Sequence, residues 1–229
     1  MARRKGIMRL MLMVVIFLAL GVLPASVQAS APYVFHDLGT LGGSESSAQA
    51  INNIGQVAGS ATTSSGQTHA FLYPYPGGPM QDLGTLGGDS YANGINDQGQ
   101  VVGCFWIGGQ LHPFLYSYPG GPMEDLGTFG TGYWFNSAYA INNSGLVVGL
   151  SGVAGAWCHA FSYQYPGGPM QDLNNLANIG PTREGYAYDV NNSGQAVGWY
   201  FGTWGEQYHA FLYQCPDGPW KDLVIDHRV

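Results

Sequence analysis

HAFLYPYPGGPMQDLGTLGG (69–88) decides the fold, because its parts recur along the chain. The string YPGGPM stands unchanged at 75–80, 118–123 and 165–170, and weakens to CPDGPW at 215–220. A histidine precedes each copy, at His69, His112, His159 and His209. An Asp-Leu pair follows, and recurs at Asp37, Asp82, Asp125, Asp172 and Asp222, in steps of 45, 43, 47 and 50 residues. The differences in step length fall in Gly-, Ser- and Thr-rich stretches, which is where loops absorb insertions. The chain is therefore a repeat protein of four units of about 45 residues.

Each unit reads as four strands separated by turns. In the first copy they fall at Ser47–Asn52, Gly55–Thr62, Thr68–Tyr75 and Pro79–Leu86. The first two are joined by Asn52-Asn53-Ile54-Gly55, which returns as Asn96-Asp97-Gln98-Gly99, Asn142-Asn143-Ser144-Gly145 and Asn191-Asn192-Ser193-Gly194. Asn and Asp tolerate left-handed backbone and Gly adopts it freely, so these are tight hairpin turns. Pro-Gly-Gly-Pro blocks a helix before the fourth strand. The fold class is all-β, and four antiparallel strands per unit give the arithmetic of a small, about four-bladed β-propeller. An open propeller-like array and a solenoid are the alternatives. Buried sheet faces account for a charged fraction of only 9%. Gly59, Gly103, Gly149 and Gly198, one per second strand, imply a close approach near a crowded axis. A fifth copy of the fourth strand at Val34–Leu41 makes one strand too many, which must close, cap or dimerise the assembly.

The start of the chain reads differently. Arg3, Arg4, Lys5 and Arg9 precede an apolar run from Leu10 to Leu23, and Val27-Gln28-Ala29 fits a cleavage site. Residues 1–29 are thus expected to be a cleaved signal peptide, leaving 30–229 as one exported repeat domain. The apolar run is short beside the about 20 residues a membrane span needs. Without the leader three basic residues face fourteen acidic ones, a net charge of −11. No basic stripe remains to neutralise phosphates, which argues against a nucleic-acid partner. Cys104, Cys158 and Cys215 occupy different phases of the repeat, and allow one disulfide and one free thiol in any of three pairings.

DLGTLGG (37–43 and 82–88), INNSGLVVG (141–149) and His-Ala-Phe (69–71, 159–161, 209–211) resemble the bacterial HAF extracellular repeat family. The likeness spans the mature chain, with departures at His112-Pro113-Phe114 and at 125–131, where the motif reads DLGTFGT. The resemblance implies a secreted location and a repeated β architecture, and it implies no activity.

The repeated histidines admit two readings. They could converge near an axis and ligate a metal, or each could hydrogen-bond the Asp of its own unit, Asp82, Asp125, Asp172 or Asp222, as a repeated structural position. The turns supply too few carboxylates for calcium, no CxxC pair supports zinc, and no cofactor is expected. The remaining carboxylates scatter among loops without the pairing a glycosidase needs. The segments between strands two and three differ in every copy: Thr63–Gln67, Phe105–Gln110, Ser151–Trp157 and Tyr200–Gln207. Three of them carry tryptophan, and Trp106, Trp157 and Trp204 are the candidate ligand-binding aromatics. The leading reading is a non-enzymatic binding or surface-interaction module for a glycan or an extracellular protein, with self-association open. An extracellular polysaccharide hydrolase or lyase and a structural envelope component are the alternatives.

Overall fold

A computed structural model of the chain describes residues 34–130, 135–154, 157–179, 183–201 and 207–223. The expected signal peptide lies outside the described residues. One compact unit runs from Leu38 to Val229, and the fold below is that of this unit.

Among the described residues, sixteen strands form four antiparallel sheets, each a meander in chain order. The first blade holds β1 (Gly42–Ile51), β2 (Val57–Thr63), β3 (Thr68–Tyr73) and β4 (Gln81–Asp82). The second holds β5 (Ser90–Ile95), β6 (Val101–Ile107), β7 (Gln110–Tyr116) and β8 (Met123–Asp125). The third holds β9 (Ser137–Ile141), β10 (Leu146–Gly152), β11 (Cys158–Gln164) and β12 (Gln171–Asp172), followed by the short helix α1 (Leu173–Leu176). The fourth holds β13 (Gly185–Val190), β14 (Gln195–Phe201), β15 (Tyr208–Gln214) and β16 (Trp220–Asp222). Successive blades pack face to face, and their first strands β1, β5, β9 and β13 lie side by side along one edge. The array does not close into a ring, so the open propeller-like form is the one adopted.

The outermost strands are shorter than Pro79–Leu86 and its equivalents predict. Pro79 has no N–H for the ladder. Beyond the strand, the Asp82 carboxylate accepts from Gly84 N at 2.7 Å and turns the chain away at a glycine of φ +74°. Asp125 repeats the contact on Gly127 N at 2.8 Å.

The expected strand Val34–Leu41 does not form: residues 34–40 are irregular, and Leu41 makes a single parallel bridge to Thr63. Packing explains the surplus. Leu83 sits with Val101, Phe105, Phe114, Tyr116 and Met123 of the second blade. Leu126 sits with Val147, Phe161, Tyr163 and Met170 of the third, and Leu173 with Ala196, Tyr200, Phe211, Tyr213 and Trp220 of the fourth. The leucine of each Asp-Leu pair is therefore a plug for the blade that follows. Leu38 fills the same place on the first blade, against Val57, Ala61, Phe71, Tyr73 and Met80.

A polar ladder joins the turns between strands one and two. The Asn52 side-chain amide donates to the Asn96 carbonyl at 2.9 Å, Asn96 to Asn142 at 3.0 Å, and Asn142 to Asn191 at 2.9 Å. One residue on, the backbone N–H groups of Asn53, Asp97 and Asn143 donate to the side-chain oxygens of Asp97, Asn143 and Asn192, each at 2.9 Å. The doubled Asn thus closes its own hairpin and clips each blade to the next.

Candidate functional site: a cleft along the first strands

Every first strand carries a bulge at the same position. Ala48 and Ala50 pair with consecutive residues of β2, so Gln49 is extruded. Asn93, Tyr139 and Tyr188 are extruded in the same way from β5, β9 and β13. A bulge re-aims its side chain and presses the neighbouring backbone toward the partner strand. This is why the second strands need glycine. A Cβ on Gly59, Gly103, Gly149 or Gly198 would collide with the carbonyl oxygen of Ser47, Tyr91, Ser137 or Tyr186. The close approach expected at these glycines is to the bulge, within one blade, and not to a shared axis.

Three of the extruded side chains, Gln49, Asn93 and Tyr139, line a cavity of about 440 Å³ between the blades. Its aromatic walls are Tyr91, Phe135, Tyr139 and Tyr186, and its polar groups are Gln49, Asn93, Asn136, Ser60 and Ser137. Ala92, Cys104, Leu111 and Leu150 complete the apolar part. The size and the mixture of aromatic faces with a few placed polar groups are those of a small-molecule site.

Hydrogen bonds fix several of these groups. Asn93 spends its amide nitrogen on Ser137 Oγ and the Ala138 carbonyl, both at 2.9 Å, which leaves its oxygen to accept. Asn136 Oδ1 accepts from Ser151 Oγ at 2.9 Å and Gly152 N at 2.8 Å. The Tyr186 hydroxyl donates to Glu184 at 2.7 Å, while its ring stacks on Trp199 at 4.4 Å between centroids. Burial pushes the Tyr139 phenol up to about 12 and raises Tyr91 and Tyr186 as well, with Asp89 and Glu184 adding to the rise in the latter two. All three phenols are neutral donors at neutral pH. Burial also raises the Cys104 thiol, which removes thiolate character from the cavity wall. Every described lining side chain is uncharged.

The histidines lie apart from this cleft, each on its own aspartate. His69, His112, His159 and His209 place Nδ1 at 2.9, 2.9, 2.8 and 3.0 Å from Asp82, Asp125, Asp172 and Asp222. Each pair bridges the third strand to the end of the fourth. Among the described residues no cluster of three metal-ligating side chains occurs.

The tryptophans divide three ways. Trp106 belongs to β6, not to a loop. It pairs with Leu111, is half-buried, and its backbone carbonyl accepts from Gly88 N at 2.6 Å. Trp157 stands 60% exposed ahead of β11, and Trp204 lies outside the described residues. Neither Trp106 nor Trp157 lines the cavity. The cavity residues are hard to read from the sequence because the extruded position changes in every copy: Gln49, Asn93, Tyr139, Tyr188. That change, inside an otherwise constant Ala-x-x-Ile/Val-Asn frame, is the signal that marks them.

The three cysteines form no disulfide: Cys104, Cys158 and Cys215 are free and buried, in the second, third and fourth blades. Burial raises the thiols of Cys158 and Cys215 to about 11.

No protein-family model matches the chain, and no curated protein matches it. Among solved structures it is similar to a TolB-type protein from Agrobacterium tumefaciens, at 13% identity and a TM-score of 0.52, covering 74% of this chain and 61% of that one. It is also similar to TolB from Acinetobacter baumannii, at 10% identity and a TM-score of 0.54, covering 79% of this chain and 43% of that one. The chain thus spans about three-fifths and two-fifths of the structures it matches. TolB is a β-propeller protein. The fold is an open β-propeller. At these identities the likeness carries the fold alone. No described helix is long and apolar enough to cross a membrane.

Proposed function

We propose that the protein is an exported, non-enzymatic binding module of HAF repeat type, whose first-strand cleft holds a neutral saccharide unit of an extracellular or envelope polymer. The observation that carries this reading is the lining of the cleft. Four aromatic rings, three amides and two serine hydroxyls surround a volume fit for a small ligand, with no described charged side chain among them. Aromatic faces cover the apolar faces of a sugar ring, and amides and hydroxyls satisfy its ring substituents. A cleft of neutral phenols and a suppressed thiol serves recognition better than bond cleavage. Export rests on the expected signal peptide at 1–29 and on the resemblance to the HAF family.

The test is a glycan array with the exported protein, followed by calorimetry on the saccharides it retains. Tyr139→Ala is expected to lower affinity about tenfold, equivalent to about 1.4 kcal/mol, while Trp157→Ala leaves it unchanged. Absence of any retained saccharide would overturn the proposal. So would loss of binding in Trp157→Ala with Tyr139→Ala unaffected, or cleavage of the bound saccharide.

A further inference from the structure

We infer that the open face of the fourth blade docks the first blade of a second copy of this chain, head to tail, through the contacts that join the blades internally. Each internal junction buries one residue near the start of the second strand. Ala58, Val102 and Val148 are 0% exposed beneath the next blade, whereas Val197, at the same position in the fourth blade, is 39% exposed. In β14 and β15 it shares a face with Trp199, Phe201, Tyr208, Ala210 and Leu212, by register across the pair. Of these, Tyr208 is 67% exposed. The opposite end of the array is bare in the complementary sense. Ile51 is 69% exposed, while of its equivalents Ile141 and Val190 are 7% exposed and Ile95 is partly buried against the preceding blade.

The polar ladder ends with the same polarity. Asn52, Asn96 and Asn142 each send their side-chain amide to the next turn. Asn191, at the same place in the last turn, keeps the bond to its own hairpin, to Gln195 at 2.8 Å, as Asn52 does to Gln56 and Asn96 to Gln100, but has no following turn in the chain to donate to. Across the joint the Asn191 amide and the Asn192 backbone N–H donate to the Asn52 carbonyl and the Asn53 side-chain oxygen of the second copy, the acceptors that Asn191 and Asn192 themselves present to the third blade. A second copy supplies the missing turn without a new kind of contact. The joint also has its leucine plug in place, because Leu38 already occupies the site on the first blade that Leu223 would otherwise seek. Joints of this kind are heterologous, and two copies joined at both ends make a closed ring of eight blades.

Sedimentation velocity of the exported protein, from low micromolar to high concentration, tests the inference. The wild type is expected to pass from one to two chain masses as concentration rises. Val197→Asp and Ile51→Asp are each expected to stay at one chain mass, with circular dichroism and thermal midpoint matching the wild type. Tyr208→Arg stands in for Val197→Asp if that variant fails to fold. The two aspartate variants retain opposite ends, so an equal mixture is expected to form one-to-one heterodimers through the single intact joint. A wild type that remains at one chain mass throughout would overturn the inference. So would association that the variants leave intact, or variants that fail to complement each other.

Discussion

Asp97 is the one carboxylate among the four Asn-rich turns, and it ties three blades together. Its oxygens accept from the Asn53 backbone at 2.9 Å, the Asn53 amide at 2.9 Å and the Asn143 amide at 2.7 Å. Hydrogen bonds from the Asn53 side chain and backbone, and then from Asn143, hold its carboxyl below the ordinary range. A carboxyl depressed in the folded state stabilises fully above its unfolded pKa, about 3.9, and the contribution is lost as pH falls through the lower folded value. Thermal midpoints measured between neutral pH and pH 2 are expected to fall more steeply at the acid end in the wild type than in Asp97→Asn. Parallel curves would show that the carboxylate is not held by these amides. The glycines of the second strands belong to the same scale. They were legible as points of close approach, but the surface they meet was not, because a bulge leaves no fixed residue type behind.

At the scale of the element, the Asp-Leu pair does two separate jobs. Its aspartate belongs to the blade it ends, holding the histidine of the third strand and the glycine of the following turn. Its leucine belongs to the blade that follows. Leu38→Ala is therefore expected to destabilise the protein by about 1–3 kcal/mol, at or below the low end of the range for a core leucine because Leu38 is half-buried. Leu223→Ala, at a residue 50% exposed after the last blade, is expected to change stability by less than about 0.5 kcal/mol. Urea unfolding of the two variants separates the cases, and equal losses would contradict the plug assignment. Counting strands in the sequence left one over because a leucine that plugs a core reads the same as one that opens a strand. The hairpin turns, by contrast, were legible almost residue for residue, since Asn-x-x-Gly carries its own backbone requirement.

For the whole molecule, the repeat made the four sheets and their order legible, because self-comparison needs no knowledge of contacts. The openness of the array was only one of several alternatives, as nothing in one unit records how far each blade rotates from the last. The site was harder still. The variable segments point to the tryptophans, yet Trp106 sits within β6, while the cleft draws on the variable position extruded by the bulge of the first strands. The most direct test of the account is hydrogen–deuterium exchange on the protein with and without the saccharide selected on the array. Slowed exchange confined to Ala92–Gly94 and Ala138–Ala140, around the extruded Asn93 and Tyr139, is the expected result. Slowed exchange at Val153–Cys158 with those first strands unchanged would place the site on the tryptophan loop and contradict it.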